Sequence, residues 1–307
     1  MKIILRLLLT MLLVSFLTFA AFEVVSGDPA QTMLGTEATQ EQVEQLRSEL
    51  GLDRPFIQRY FHWVSGIFTG DLGTSYSYKQ PVSVLIGSKA LVSLMLCLLS
   101  FAMIVAVSIP LGLVSYRHSG KVLNLIRSII NQLCMAVPPF FTGILFSWIF
   151  GIGLKLFIPG SAPGFIHLFF AALCIAIPRI AMTVRLLRST VVSEMNKAYV
   201  RTAISRGNDR SAVLRKHVLK NSLVGVISFL GQTLAELVGG AIVVEQVMGI
   251  PGLGRFLVTS ILHRDYPVIQ AIVLILAFWV VLSGVIADLV NSAIDPRLKL
   301  AGEGREL

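Results

Sequence analysis

The chain is 307 residues long, 55% hydrophobic and 14% charged, with a formal net charge of +9 and a mean hydropathy of +0.78. That balance excludes a water-soluble globular domain, in which about 25% of residues are charged, and calls for lipid around the chain. The positive charge falls in separate loops between apolar runs rather than in one patch, so no nucleic-acid partner is expected.

A run of about 20 apolar residues crosses a hydrocarbon core roughly 30 Å thick. The sequence predicts six such spans, at residues 3–25, 91–116, 129–157, 165–187, 223–244 and 268–294, and hence an all-α membrane protein. The first run carries Lys2 and Arg6 ahead of it and small residues at Ala20 and Ala21, as a cleaved signal peptide would. It is longer than a signal's apolar core, and its removal would put the basic loops on the wrong side, so it is read as a span. The third run is interrupted by Pro138 and Pro139, which predicts a bent helix or one with a short break.

Lys and Arg concentrate on the cytoplasmic side of a membrane protein. With both termini inside, the cytoplasmic segments hold 17 of the 26 basic residues, nine of them between Arg185 and Lys220. Arg179 is within snorkelling reach of the inner interface. The organisation expected is therefore a first transmembrane helix (1–25), an extracytoplasmic segment (26–90), a transmembrane core of spans 2–6 (91–294) and a cytoplasmic tail (295–307). The extracytoplasmic segment contains a helical pattern at 40–50 and a run of Gly and aromatic residues at 63–78.

The core includes a cytoplasmic loop between spans 4 and 5, residues 185–222, that is polar and helix-forming yet too short to be a domain, so an outside partner must use it. Two helices are expected in it, at 193–206 and 209–219. Gly207 and Asn208 stand at the corner, where positive φ is cheap, and Asp209 caps the second helix. Such a turned amphipathic pair is a ready helix-in-groove docking element; the plainer alternative is a solvated basic loop.

These residues resemble the inner-membrane components of ABC importers, in particular the dipeptide, oligopeptide and nickel branch. The family's loop motif reads EAA, three residues, Gly, nine residues, then I-x-L-P. Here Arg201, Thr202 and Ala203 occupy the EAA positions, Gly207 the glycine, and His217, Val218, Leu219 and Lys220 the end. Arg201 departs from the acid and Lys220 from the proline. The branch itself reads Y-V-x-x-A…G…H-x-L-R-N, which Tyr199, Val200, Ala203, Gly207, His217, Leu219, Lys220 and Asn221 fit closely. The resemblance extends through GLDRPFIQRYFHW at Gly51, GDLGTSY at Gly70, EQVMGIPGLGR from Glu245, RDYPVIQ from Arg264, and Asp295, Pro296 and Arg297. It implies that Tyr199, Arg201, Thr202, Ala203, Gly207, His217, Leu219 and Asn221 couple the chain to an ATPase subunit.

By the same resemblance the partners are a second related permease, ATP-binding subunits and an extracytoplasmic substrate-binding protein, in the cytoplasmic (inner) membrane. The cargo is a dipeptide or oligopeptide, with nickel or a nickel chelate as the alternative, moved by alternating access. No phosphate-binding Gly-rich loop is present, so no cofactor is expected on this chain, and ATP and Mg belong to the partner ATPase.

Two further groups are singled out. The turn at 250–254, with Pro251, Gly252 and Gly254, should sit at the outer mouth ahead of a short amphipathic helix ending at Leu262, either shaping the mouth as an interfacial segment or contacting substrate or a docked binding protein. Within the spans, Glu236 and Asp288 are ionisable, and such residues by default mark a pathway or a partner. Asp288 lies near the inner end and is expected to snorkel. Glu236 sits mid-span among Gly231, Gly239 and Gly240, and is read, with Gly239 and Gly240, as part of the translocation pathway or of the interface with a second permease.

Neither HExxH nor GxSxG is found, and no catalytic or metal-binding residue is assigned. Cys97, Cys134 and Cys174 lie in apolar runs as packing thiols, and His62, His118, His167, His217 and His263 fall in separate segments. An intramembrane enzyme would need a second catalytic group beside Glu236 or Asp288, and an export permease or passive channel would need no outer binding protein.

Overall fold

The computed structural model describes residues 2–25, 29–35, 38–49, 51–117, 120–161 and 163–294. The tail at 295–307, with Asp295, Pro296 and Arg297, and His118 lie outside the described residues. Among the described residues the chain is helical, with no strand and a single isolated bridge between Thr74 and Pro81. Among the described residues four helices are long and apolar enough to cross a membrane, or five if the bent pair at the third run counts as one span.

The fold divides into two compact units, Met1–Leu94 with Pro251–Val281, and Met95–Ile250 with Leu282–Leu307. In the first unit, α1 (Lys2–Val25) is apolar over the shorter stretch Leu7–Phe22. It lies against α4 (Phe56–Thr69), where Phe16 and Phe19 meet the rings of Phe56 and Tyr60 and Ser15 shares a buried 2.9 Å hydrogen bond with the Tyr60 hydroxyl. Between them come α2 (Pro29–Leu34) and α3 (Gln40–Glu49). The start of α3 is a capping box: the Gln42 amide donates to Thr39 Oγ1 and the Thr39 amide to Gln42 Oε1.

The core of this unit joins the first turns of α5 (Val82–Arg117) to α12 (Leu253–Leu262) and α13 (Tyr266–Ile294), through Val82, Ile86, Leu253, Phe256, Val268 and Ile272. Helix α5 starts at Val82, ahead of the predicted residue 91. The Pro81 carbonyl accepts from the amides of Val84 and Leu85 to open the first turn, and Val82 and Ile86 bury on one face.

In the second unit, α6 (Lys121–Ala136) and the helix running from α7 (Pro139–Phe146) into a π-helical stretch (Ser147–Gly153) meet at 91°. This is the break predicted from Pro138 and Pro139, whose missing amide protons cannot extend α6. Helix α6 shows its polar side to the protein: Arg188 donates to Asn124 and Arg127 to the Ser115 carbonyl, while Val122, Leu125, Ile129 and Leu133 are exposed. Lipid suits such an outward apolar stripe.

Helix α8 (Phe165–Met195) packs on α11 (Leu219–Met248), and both contact α7. Approach within this unit is close: a Cβ on Gly112 would reach Leu187 Cδ2 at 2.7 Å, and one on Gly231 would collide with Ala287. Near the far end of α11, His167 stacks on Phe157 at 4.5 Å and its Nε2 lies 3.2 Å from the Met248 carbonyl. A carbonyl only accepts, so the proton sits on Nε2.

Candidate functional site

After α8 ends at Met195, two residues turn the chain into α9 (Ala198–Ser205). Val200, 1% exposed, anchors α9, while Arg201, Thr202, Ile204 and Arg206 face outward. The end of α9 is closed by Gly207 at φ +85° and by Asn208, whose side chain donates to the Ala203 carbonyl at 3.0 Å. Asp209 then caps α10 (Arg210–Val213), accepting from the amides of Ser211 and Ala212.

The first loop helix is shorter than expected, because residues 193–195 finish α8, and the second differs in one respect. It does not stop before the next span but runs from Arg210 through a π-helical turn (Leu214–Val218) directly into α11, as one helix from Arg210 to Met248. No Gly or Pro interrupts the chain between Arg210 and Val224, and Val213, Leu214 and Val218 are all buried. His217 and Asn221 are exposed on this helix and Leu219 half-buried.

Tyr199 joins the parts of the elbow. Its hydroxyl donates to Glu194 Oε2 at 3.0 Å and accepts from Asn221 Nδ2 at 3.3 Å, and Lys197 pairs with Glu194. Burial pushes the Tyr199 phenol above its usual range, and Glu194 adds to this against the pull of Asn221, so Tyr199 stays a proton donor. The end of α8, α9 and the start of α11 are thereby tied at one side chain. Glu194 and Lys197 were missed in the sequence because neither falls on a motif position.

Glu236 forms an ion pair with Arg179, one residue after Pro178 in α8. Arg179 therefore reaches from α8 to α11 and does not snorkel inward. The pair lies in a cleft of 290 Å³ lined by Pro139, Ile175, Pro178, Met182, Leu237 and Gly240. Gly240 is needed for closeness, since a Cβ there would sit 3.3 Å from Ile175 Cγ2. Gly239 is exposed beside it, and Asp288 is exposed on α13. A mid-span Arg in the sequence was the available signal for the partner of Glu236.

The 250–254 turn begins where Gly249, at φ +73°, ends α11. Pro251 is half-buried, Gly252 and Gly254 are buried, and Ser93 Oγ accepts from the Leu253 amide at 2.7 Å at the head of α12. Past α12, the fully buried Asp265 accepts from Ser75 Oγ at 2.5 Å and from the amides of Tyr76 and Ser77. Burial, then the Asp265 charge, pushes the Tyr76 phenol up to about 12. Two motifs far apart in sequence thus form one structure, a pairing invisible to local pattern. Glu245, read only as part of a motif, is completely buried. Among the described residues no group of three or more His, Cys, Asp or Glu is placed to hold a metal.

Residues 108–300 match the model of the binding-protein-dependent transport system inner membrane component family, and residues 1–88 that of its N-terminal membrane component. A Brucella suis biovar 1 protein bearing a peptide transport system permease name is 35% identical, covering 94% of each chain. Glutathione transport system permease protein GsiC of Pectobacterium atrosepticum is 34% identical, covering 97% of each. Among solved structures, the inward-facing MetNI methionine ABC transporter is similar in fold, with a TM-score of 0.57 at 18% identity, over 69% of this chain and 96% of that one.

Proposed function

The chain belongs to the family of binding-protein-dependent transport system inner membrane components, and within it we propose that this chain is the permease subunit of a peptide importer. It is a multi-pass protein of the cytoplasmic membrane. Importers of this family work with ATPase and substrate-binding subunits. On the proposed reading a second related permease completes the pathway, α1 is a sixth span, and both termini are cytoplasmic. The ATPase subunits use ATP and Mg, and this chain performs no covalent chemistry.

The observation that carries the mechanism is the continuity of the elbow with α11. A push on α9 reaches Asn221 through Tyr199 and then travels along an unbroken helix to Glu236. Alternating access needs such a rigid path between the ATPase and the cleft. Peptide cargo is supported by the names of the relatives.

The test is to purify the tagged chain in mild detergent, identify its partners by mass spectrometry, and measure uptake by the assembled complex in proteoliposomes. Recovery of a second permease and ATPase subunits with ATP-dependent peptide uptake is expected. Uptake of nickel but not peptide would move the reading to the nickel alternative, and recovery of the chain alone would overturn it.

A further inference from the structure

Arg179 and Glu236 are an ion pair at mid-span, yet neither is sealed: their side chains are 26% and 51% exposed. A structural pair between membrane helices is normally closed off, because charge facing hydrocarbon is costly. On this chain the open side of the pair is left to water or to a polar partner. The cleft around the pair is otherwise apolar, and its 290 Å³ falls just below the roughly 300–1,000 Å³ found for small-molecule sites. It suits one end of a peptide rather than a whole oligopeptide.

One cation and one anion on neighbouring helices are complementary to the two features that all free peptides share, a carboxylate and an ammonium. The planar Arg fork matches a carboxylate with two parallel hydrogen bonds, and Glu accepts from an ammonium. Gly239 leaves room beside Glu236, since a Cβ there would touch nothing within 4 Å.

We propose that the Arg179–Glu236 pair reads the charged ends of a passing peptide, Arg179 exchanging its partner for the substrate carboxylate and Glu236 for the substrate ammonium. This rests on the peptide-importer reading above. The cleft takes one end at a time, so each exchange gives up the Arg179–Glu236 pair for one pair with the substrate and leaves the released side chain, Glu236 at 51% or Arg179 at 26% exposure, to solvent.

The experiment uses the assembled complex in proteoliposomes with trialanine, its C-terminal amide and its N-acetyl form. The binding protein's own preference is common to all variants, so comparing variants against substrate ends isolates the permease contribution. Arg179→Met is expected to lower uptake of trialanine by about tenfold or more while leaving the amide unaffected. Glu236→Gln should lower trialanine uptake in the same way while leaving the N-acetyl form unaffected. Where a single variant fails to assemble, Arg179→Met with Glu236→Met removes both charges and should erase both end preferences. Equal loss for free and blocked peptides, unchanged uptake, or loss of the second permease from the purified double variant would overturn the proposal. Absence of any peptide uptake by the wild-type complex would instead sink the peptide reading itself.

Discussion

Gly207 turns the elbow at φ +85° with open space where a Cβ would stand, so the constraint there is backbone conformation and not crowding. A β-branched residue in that region costs about 1–2 kcal/mol. Gly207→Val is expected to leave membrane insertion intact and to separate ATP hydrolysis from uptake, as is charge reversal at Arg201; full uptake in the Gly207 variant would remove that residue from the coupling path. Asp265 is a different kind of residue, a buried carboxylate receiving three donors. Asp265→Ala leaves those donors unsatisfied, at about 1–3 kcal/mol each. Thermal unfolding in detergent should show a clear drop for Asp265→Ala and a smaller one for Asp265→Asn.

At the scale of elements, the helix from Arg210 to Met248 has a consequence that separate loop helices would not. Inserting two glycines after Lys220 would keep α9 and its capping by Gly207 and Asn208 but break the rigid path to Glu236. Partner ATPase should still bind such a variant, while uptake falls strongly; normal uptake would mean that α11 does not carry the motion. The broken third run acts on the site by the opposite means. Pro138 and Pro139 end α6 and start α7 at the edge of the cleft, so a loss of helix continuity there shapes the site.

At the scale of the whole chain, the proposed six spans with both termini inside predict that reporter enzymes fused to either end are active only in the cytoplasm, and a reporter placed after Thr69 only outside. Opposite activities at the two termini would reduce the spans to an odd number. The amino-acid sequence by itself determined the membrane class, the all-helical character, the break at Pro138 and Pro139, and the elbow with Gly207 and Asp209, because hydrophobic run length, proline and capping chemistry act over a few neighbouring residues. Tertiary structure alone decided that Arg179 meets Glu236, that Tyr199 ties Glu194 to Asn221, and that Asp265 holds the loop at Ser75. Those contacts join residues on different elements, where the pairing depends on how the helices pack and no local pattern records it.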